Sequence, residues 1–219
     1  MIKIVVFDSG YGGEMVADLL EEELPIAEII RVIDWRNADK ILASSRSARH
    51  TAEKALEKYI GKVDLIIFAN HLLSATSLKY FRRKYKNQKF LGLRLVQPTT
   101  FIKRNSIILT TKALTKSLDY HKYMMQHRHN AKTLCLDDWV ELIDDGELTR
   151  DEIRSTIEKY IANEIPEEIV LACSQFSDIK NDLRFIFGNN VRINDSFRDV
   201  ITDVCKILRI RGGAYRKQR

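Results

Sequence analysis

The sequence is poor in the residues that mark several protein classes, with only 3 cysteines, 3 prolines and 9 glycines in 219 residues. So little proline and glycine, together with 45% apolar residues, excludes collagen-like and low-complexity chains and predicts a folded core. No apolar run reaches the roughly 18 residues of a membrane-spanning helix, so we expect no membrane partner. The stretch before Asp8 lacks the long apolar segment of a signal peptide.

The three cysteines, Cys135, Cys173 and Cys205, lie far apart in the chain and have neither metal-site spacing nor an even number. They predict free thiols in a reducing compartment, and we therefore expect a cytoplasmic protein. The histidines do not cluster either, because His127 and His129 are two residues apart and such a pair does not share a helix face. The sequence therefore predicts no metal site.

The net charge of +6 is concentrated in two segments. Residues 206–219 carry six Lys/Arg and no acidic residue, and residues 79–104 carry nine basic residues, also without an acid. Aromatic residues between the charges of the second segment are compatible with nucleic-acid binding. The interpretation that we favour for residues 79–86 is the solvated C-terminal turn of a helix, where cations suit the helix dipole. Nucleic acid is therefore not the expected partner.

Short apolar runs alternate with longer segments of helical period, and this alternation is typical of βαβ units around a mostly parallel sheet. The predicted strands lie at 2–7, 28–33, 63–68, 89–93, 106–109, 131–135, 168–172 and 191–193. The predicted helices lie at 13–23, 45–60, 75–86, 112–127, 138–144, 149–162, 177–187 and 197–210. Several strands are unbroken runs of Val, Ile and Leu, as expected where helices cover both faces of a sheet.

An internal similarity indicates two related halves. Residues 66–74, IIFANHLLS, align without a gap on residues 169–177, IVLACSQFS. We therefore expect an α/β protein of two similar domains, with mostly parallel sheets flanked by helices and a ligand cleft between the domains. Ligands of such sheets bind at the carboxyl ends of the strands, so the residues that follow each strand are the candidates for a site. They are Asp8, Ser9, Asp34, Asn70, His71, Thr110, Thr111, Cys173 and Ser174.

Two of these residues have alternative interpretations. Cys173 follows a predicted strand and precedes a predicted helix, a position that favours a reactive thiolate. A cysteine at the end of a strand is also commonly a small buried apolar residue. His71 is either a general base or a loop histidine whose ring is satisfied by the backbone. The glycines after Asp8 have neither dinucleotide-binding nor P-loop spacing, so they give little support for a nucleotide ligand.

Seven segments, taken in order, resemble motifs of one enzyme superfamily. They are VVFDSGYGGEMV at 5–16, DLIIFANHLLSA at 64–75, LRLVQPTT at 93–100, TTKALTKSLDY at 110–120, WVELIDDG at 139–146, LACSQFSDIK at 171–180 and NNVRINDSF at 189–197. Together they span nearly the whole chain. In this order they resemble the aspartate/glutamate racemase superfamily, and within it the glutamate racemase family most.

The resemblance implies two domains, one discontinuous over residues 1–95 and 196–219 and the other over residues 96–195. It also implies cofactor-independent inversion at Cα of a small acidic amino acid, in which one cysteine removes the α-proton and a second donates a proton to the opposite face. The family's catalytic region falls on Asp8, Asn70, His71, Asp144 and Cys173. Its substrate-binding positions fall on Ser9, Asn70, Thr110, Thr111, Ser174 and Gln175. A homodimer and the supply of D-glutamate for peptidoglycan are further implications of the resemblance.

The sequence departs from the family at the first of the two thiols. Asn70 stands in the position of the first cysteine, His71 in that of an asparagine, and Gln175 in that of a histidine. The superfamily includes decarboxylases and isomerases that keep only the second cysteine. We therefore predict acid/base chemistry at Cα by one cysteine, Cys173, with His71 as the candidate second acid/base. The alternative is a catalytically inactive homologue that binds a small carboxylate or acts as a regulator.

Overall fold

The fold is described by a computed structural model for residues 1–94, 106–126, 131–161 and 165–210. The described chain forms two compact units. The first unit contains residues 1–94 and 197–210, and the second contains the described residues from 106 to 196. Each unit has a four-stranded parallel sheet with flanking helices. This arrangement confirms the predicted α/β fold with two similar domains.

The first unit contains the strands β1 (Ile2–Asp8), β2 (Ala27–Ile33), β3 (Leu65–Phe68) and β4 (Phe90–Gly92). They are ordered β2-β1-β3-β4, and each neighbouring pair is parallel. The helices of this part of the chain are α1 (Tyr11–Glu23), α2 (Ala38–Ala43), α3 (Ser45–Leu56) and α4 (His71–Lys84).

The second unit contains the strands β5 (Ser106–Thr110), β6 (Lys132–Cys135), β7 (Glu168–Leu171) and β8 (Arg192–Asn194), in the order β6-β5-β7-β8. Its helices are α5 (Lys112–Thr115), α6 (Leu118–Gln126), α7 (Asp138–Asp144), α8 (Arg150–Ile161) and α9 (Lys180–Phe187). The last helix, α10 (Phe197–Leu208), belongs to the first unit. Across the described ranges, every helix is too short or too polar to cross a membrane.

The inner strand β1 of the first unit carries apolar side chains on both faces, and helices cover each face. Ile4 and Val6 pack on one face with residues of α1 and α10. Val5 and Phe7 pack on the other face with residues of α3 and α4. Successive side chains of a strand point to opposite faces, so an unbroken apolar run produces this two-sided core. The carboxyl end of β1 is thereby fixed in the middle of the unit.

The two sheets have the same strand order, with β5 and β1 in equivalent positions. Equivalent backbone hydrogen bonds fix the residue correspondence at the strand ends. Ala69 N donates to Phe7 O at 2.9 Å in the first sheet, and Ala172 N donates to Leu109 O at 2.8 Å in the second. The gapless internal alignment of the sequence therefore corresponds to a real structural equivalence.

This equivalence relates the polar residues that follow the strands. Asp8, which follows Phe7, corresponds to Thr110 in the second sheet. Asn70, which follows Ala69, corresponds to Cys173 by the same criterion. The two units thus place different chemistry at equivalent positions, a carboxylate and an amide in one and a hydroxyl and a thiol in the other.

All eight predicted strands are present, with their ends within two residues of the predicted ones. The start of α4 is different from the prediction, because this helix begins at His71 rather than near residue 75. The cause is Asn70, whose Oδ1 accepts the backbone N–H of Leu73 at 2.9 Å and caps the helix. Of the two alternatives for His71, the loop histidine is therefore wrong, because His71 is the first residue of a helix.

Two other helix predictions also need correction. The predicted helix over residues 112–127 is divided into α5 and α6, since Ser117 Oγ accepts from Tyr120 N and begins a new helix. Residue 127 lies outside the described residues. The predicted helix over 177–187 is a 3-10 turn, Gln175–Ser177, followed by α9. A 3-10 turn (Trp35–Asn37) and α2 were not predicted at all.

The basic segment 79–104 is described only as far as Arg94, and the tail beyond residue 210 lies outside the described residues. The first part of this segment is the last turn of α4, as the helix interpretation predicts. Arg82 donates from Nη2 to Phe90 O at 2.7 Å, and Lys84 pairs with Glu53 at 2.6 Å. These two cations are therefore bonded within the first unit.

Candidate functional site

Asp8 is the centre of a polar cluster at the carboxyl end of the first sheet. Its side chain is fully buried at the end of β1. Asp8 Oδ1 accepts the backbone N–H of Ser9 at 2.6 Å and the amide Nδ2 of Asn70 at 3.1 Å. Donors of this kind suit an ionised carboxylate. We refer to Asp8, Ser9 and Asn70 as the Asp8 cluster.

The start of α1 approaches the Asp8 side chain very closely, and Gly13 makes this approach possible. A Cβ atom at Gly13 would lie 2.4 Å from Asp8 Cβ and 2.7 Å from Ile33 Cδ1. Asp8 Cβ adjoins the backbone and cannot swing away, whereas Ile33 Cδ1 is the end of a flexible side chain that can move. The glycine-rich turn after β1 therefore serves close packing against the carboxylate.

Asn70 is bonded at both ends of its side-chain amide. Its Oδ1 caps α4 through Leu73 N, and its Nδ2 donates to Asp8. The Ser74 hydroxyl lies 2.7 Å from the Asn70 carbonyl oxygen and also accepts the backbone N–H of Leu93 at 3.0 Å. Asn70 is thus held as a cap and as a donor to Asp8, which are roles that its amide group can fill without proton exchange.

His71, predicted as a candidate base, is the first residue of α4 and is 5% exposed. Ser9, a predicted substrate-binding residue, is also buried, at 8%. Asp34, which follows β2, accepts Asn37 Nδ2 at 2.8 Å on one oxygen and at 2.9 Å on the other. The strand ends of the first unit are therefore densely hydrogen-bonded and mostly buried.

Two threonines follow β5 in the second unit. Thr110 is fully buried, and its Oγ1 has no hydrogen-bond partner among the described residues. Thr111 Oγ1 lies 3.4 Å from Leu114 N at the start of α5. Both were predicted to bind substrate. Sequence reasoning gave no role to Asp137, whose two carboxylate oxygens accept Lys112 N at 3.1 and 3.2 Å.

Cys173 lies just after β7 in a tight turn that its neighbours stabilise. The thiol is partly exposed and donates to Gln175 Oε1 at 3.0 Å. The hydroxyl of Ser174 donates to the same oxygen at 3.1 Å. Ser174 is 1% exposed and Gln175 is 7% exposed. We refer to Cys173, Ser174 and Gln175 as the Cys173 turn.

The Cys173 turn is held against α7 by an aromatic pair. Phe176, which follows Gln175, donates its backbone N–H to Cys173 O at 3.2 Å and is fully buried. Its ring packs edge-on against Trp139 of α7, with ring centroids 6.1 Å apart. Such pairs contribute beyond simple burial, so Trp139 is a supporting residue that sequence reasoning did not identify.

Asp144, a predicted catalytic residue, is the last residue of α7. Its carboxylate is on the exposed side of the helix end, where partial desolvation and the charge of Asp145 raise its pKa to about 6. The helix has seven residues, so Asp144 lies roughly 9 Å along it from Asp138. The structure thus places Asp144 at the far end of the helix that supports the Cys173 turn.

Six of the ten predicted site residues therefore fall into two tight groups, the Asp8 cluster and the Cys173 turn, whereas Asp144 lies apart at the end of α7. Thr110 and Thr111 follow the strand next to β7, and His71 follows Asn70 directly. In the parts of the chain that the structure describes, no three His, Cys, Asp or Glu side chains are grouped as metal ligands. The functional groups in the Asp8 cluster and the Cys173 turn are a thiol, hydroxyls, amides and a carboxylate.

Comparison with known sequences finds glutamate racemases that are similar over most of the chain, although no protein-family model matches it. The chain is 27% identical to glutamate racemase of Campylobacter jejuni over 213 residues, covering 94% of this chain and 85% of that protein. It is 25% identical to glutamate racemase of Clostridium acetobutylicum over 215 residues, covering 94% of this chain and 83% of that protein.

Solved structures of similar proteins have the same fold. The Campylobacter jejuni glutamate racemase structure matches with a TM-score of 0.77 at 26% identity, over 94% of this chain and 85% of that one. Escherichia coli glutamate racemase matches with a TM-score of 0.80 at 19% identity, over 100% and 86%. Picrophilus torridus aspartate racemase matches with a TM-score of 0.67 at 15% identity, over 94% and 92%. The last two comparisons establish the fold only.

Proposed function

Because the chain belongs to the aspartate/glutamate racemase superfamily, we propose that it is an isomerase that performs cofactor-independent acid/base chemistry at Cα of a small acidic amino acid. Glutamate and aspartate are the candidate substrates, since the similar proteins are named for these amino acids. The observation that carries the proposal is Cys173, a partly exposed thiol at the carboxyl end of β7.

The proposed step is a proton transfer between Cα and the sulfur of Cys173. The thiolate takes the α-proton, and the electron pair of the C–H bond stays on the substrate, delocalised into its carboxylate. The thiol then returns a proton to the same carbon. Because this α-proton is weakly acidic, the step needs fixed donors for the developing negative charge. The Ser174 hydroxyl, next to the thiol, is the candidate donor once its bond to Gln175 Oε1 is released.

A single thiol predicts the stereochemical outcome. Asn70 occupies the position equivalent to Cys173, and its amide is engaged by Leu73 N and Asp8. An amide does not take up or release protons near neutral pH, so proton exchange by Cys173 alone retains configuration. Inversion requires a second acid/base, for which His71 is the candidate. Inversion that disappears in His71→Gln would assign the second face to His71.

The remaining candidate residues are assigned to substrate binding. The Asp8 carboxyl group is the candidate partner of the ammonium group of an amino acid, and hydroxyl groups are the candidates to bind its carboxylates. Thr110 supports this assignment because its buried Oγ1 has no partner among the described residues and so has hydrogen-bonding capacity left. Ser9, Thr111 and Gln175 complete the proposed set. D-glutamate for peptidoglycan, a homodimer and a cytoplasmic location remain predictions from the sequence.

The alternative function is a catalytically inactive homologue that binds a small carboxylate or acts as a regulator. The observation that favours it is the double engagement of Asn70, which leaves the Asp8 cluster without a proton-exchanging thiol. The same residues then bind an acidic ligand but leave its α-proton in place. This alternative predicts binding of glutamate or aspartate by calorimetry without any turnover.

The deciding experiment follows loss of the α-proton NMR signal of L- and D-glutamate and L- and D-aspartate in heavy water. Wild type, Cys173→Ala and Asn70→Cys are compared, with Cys135→Ala as the control for loss of an unrelated thiol. Exchange by wild type and Cys135→Ala that is lost in Cys173→Ala supports the proposal and identifies the substrate. Loss of the general acid/base costs roughly 10² to 10⁴ in rate.

The other outcomes separate the two functions. If wild type shows no α-proton exchange and Asn70→Cys does, the result favours the inactive homologue, because adding one thiol then produces the chemistry. Equal exchange in wild type and Cys173→Ala would falsify the assignment of the thiol. If neither wild type nor Asn70→Cys exchanges the α-proton, but calorimetry shows binding, then binding is the supported function.

A further inference from the structure

Gln175 is the residue of the Cys173 turn whose role is least explained by the family resemblance. Its Oε1 accepts two hydrogen bonds from adjacent residues, from the Cys173 thiol at 3.0 Å and from the Ser174 hydroxyl at 3.1 Å. Gln175 itself is 7% exposed at the start of the 3-10 turn. One buried amide oxygen thus bonds both groups that the proposed chemistry uses.

We propose that Gln175 is a positioning residue that holds Cys173 as a protonated, oriented proton donor. The inference deepens the proposed function and rests on it, since it assigns the resting state of the proposed thiol. An S–H group can donate to an amide oxygen, whereas a thiolate facing that oxygen meets its lone pairs instead. The observed bond therefore belongs to the thiol form of Cys173.

The amide orientation in the structure presents Oε1 to both groups, so Gln175 accepts from the thiol and from the hydroxyl. With the amide reversed, Nε2 would donate to the sulfur and to the hydroxyl oxygen, which can both accept. Turning the amide around is the move that would present Nε2 to a thiolate. Release of the Cys173 proton is thus coupled to reorientation of Gln175 and to loss of the Ser174 bond.

A further consequence is that Gln175 itself does not titrate. A histidine in this position changes charge near neutral pH, whereas a glutamine stays neutral at every physiological pH. Gln175 therefore adds no ionisation of its own to the pH profile of the proposed exchange reaction. This makes the pH profile, rather than activity alone, the informative measurement.

The test compares wild type with Gln175→Glu and Gln175→Leu, and with Asn189→Asp as a matched control. Asn189 is an exposed residue of the turn before β8, so Asn189→Asp adds the same charge as Gln175→Glu away from the thiol. The readout is the rate of iodoacetamide alkylation from about pH 6 to about pH 9, resolved by mass spectrometry of tryptic peptides. Cys173 and Cys135 lie on different tryptic peptides, so exposed Cys135 is the reference in each molecule.

The proposal predicts opposite effects for the two variants. Gln175→Glu places a carboxylate beside the sulfur, which disfavours the thiolate and slows Cys173 alkylation about tenfold relative to Cys135. Gln175→Leu removes the acceptor that favours the thiol form and speeds alkylation several-fold. Asn189→Asp leaves the ratio of the two rates within about twofold. A loosened turn would instead increase the rate in both Gln175 variants, and that result would overturn the proposal.

The second arm measures α-proton exchange by Gln175→His against pH. The introduced histidine adds an ionisation near neutral pH that is missing from the wild-type profile. Identical profiles for wild type and Gln175→His would also overturn the proposal. If wild type catalyses no exchange, the proposed function fails by itself, and the alkylation arm still decides whether Gln175 controls the thiol.

Discussion

The Asp8 cluster and the Cys173 turn are structurally equivalent places in two related sheets, yet they are stabilised in different ways. In the Asp8 cluster, the fully buried carboxylate of Asp8 accepts hydrogen bonds from the backbone N–H of Ser9 and from Asn70, the N-cap of α4. The Cys173 turn is a partly exposed thiol bonded to a buried amide and supported by an aromatic pair. One position holds a residue that supports the framework, and the other holds a group that can exchange protons.

This difference shows that two equivalent positions can serve different purposes. Asn70, in the position equivalent to Cys173, caps a 14-residue helix and donates to a buried carboxylate, so it contributes to stability. At Cys173, the side chain makes its bond to Gln175 without capping a helix. We therefore expect variants at the first position to affect folding most, and variants at the second to affect chemistry most.

The largest expected effect on stability comes from removing the support of the Cys173 turn. Trp139→Ala deletes a nearly buried ring that packs on Phe176, and we expect a loss of about 3–5 kcal/mol. Urea unfolding measures this loss, and alkylation of Cys173 relative to Cys135 should increase as the turn loosens. Trp139→Phe is the matched control, because it retains a ring and should cost less than half as much. Equal losses for the two variants would show that the ring contact contributes little.

The next effect comes from Asn70. Asn70→Ala removes a helix cap and a donor to a buried carboxylate, and we expect a loss of about 2–3 kcal/mol in urea unfolding. Asn70→Ser keeps an oxygen that can cap α4 but loses the amide donor, so its loss should be smaller by about 1 kcal/mol. A loss below about 0.5 kcal/mol for both variants would contradict the framework role of Asn70.

Much of this comparison was predictable from the sequence. Unbroken apolar runs predicted the strands, because a parallel sheet buries both faces of each strand. The gapless alignment of IIFANHLLS with IVLACSQFS predicted that Asn70 and Cys173 are equivalent, and the strand-end hydrogen bonds confirm this. Apolar runs and a repeated segment are local patterns of residues, and such patterns can be recognised in a single sequence.

The rest depended on side-chain geometry. The start of α4 at His71 requires the Asn70 side chain to turn onto Leu73 N, and an asparagine in a sequence is equally compatible with a turn. The Cys173–Gln175 bond depends on rotamers across a 3-10 turn. The contact between Trp139 and Phe176 joins residues that are distant in the chain, so no local pattern predicts it.

A smaller effect is expected at the closest packing around the Asp8 cluster. Gly13→Ala places a methyl group 2.4 Å from Asp8 Cβ, so α1 or β1 must shift, at a cost of about 2 kcal/mol. Urea unfolding of Gly13→Ala gives the cost directly. An exposed alanine substitution on the same helix, Glu22→Ala, is the control and should change stability by less than about 0.5 kcal/mol. Unchanged stability of Gly13→Ala would mean that α1 can move away from the carboxylate.

The smallest effect concerns Asp144, whose raised pKa makes the stability of the fold depend on pH. Partial desolvation at the helix end and the charge of Asp145 raise its pKa from 3.8 to about 6, so the folded protein binds this proton more tightly than the unfolded chain does. Stability from this group is therefore greatest below about pH 4 and is lost as the pH rises through about 6. Asp144→Asn removes the charge and should be more stable than wild type at about pH 7 by only a few tenths of a kcal/mol, because Asp144 is exposed and solvent screens it. Thermal unfolding at both pH values measures the difference. A benefit of the same size below pH 4 would show that the gain has a cause other than charge.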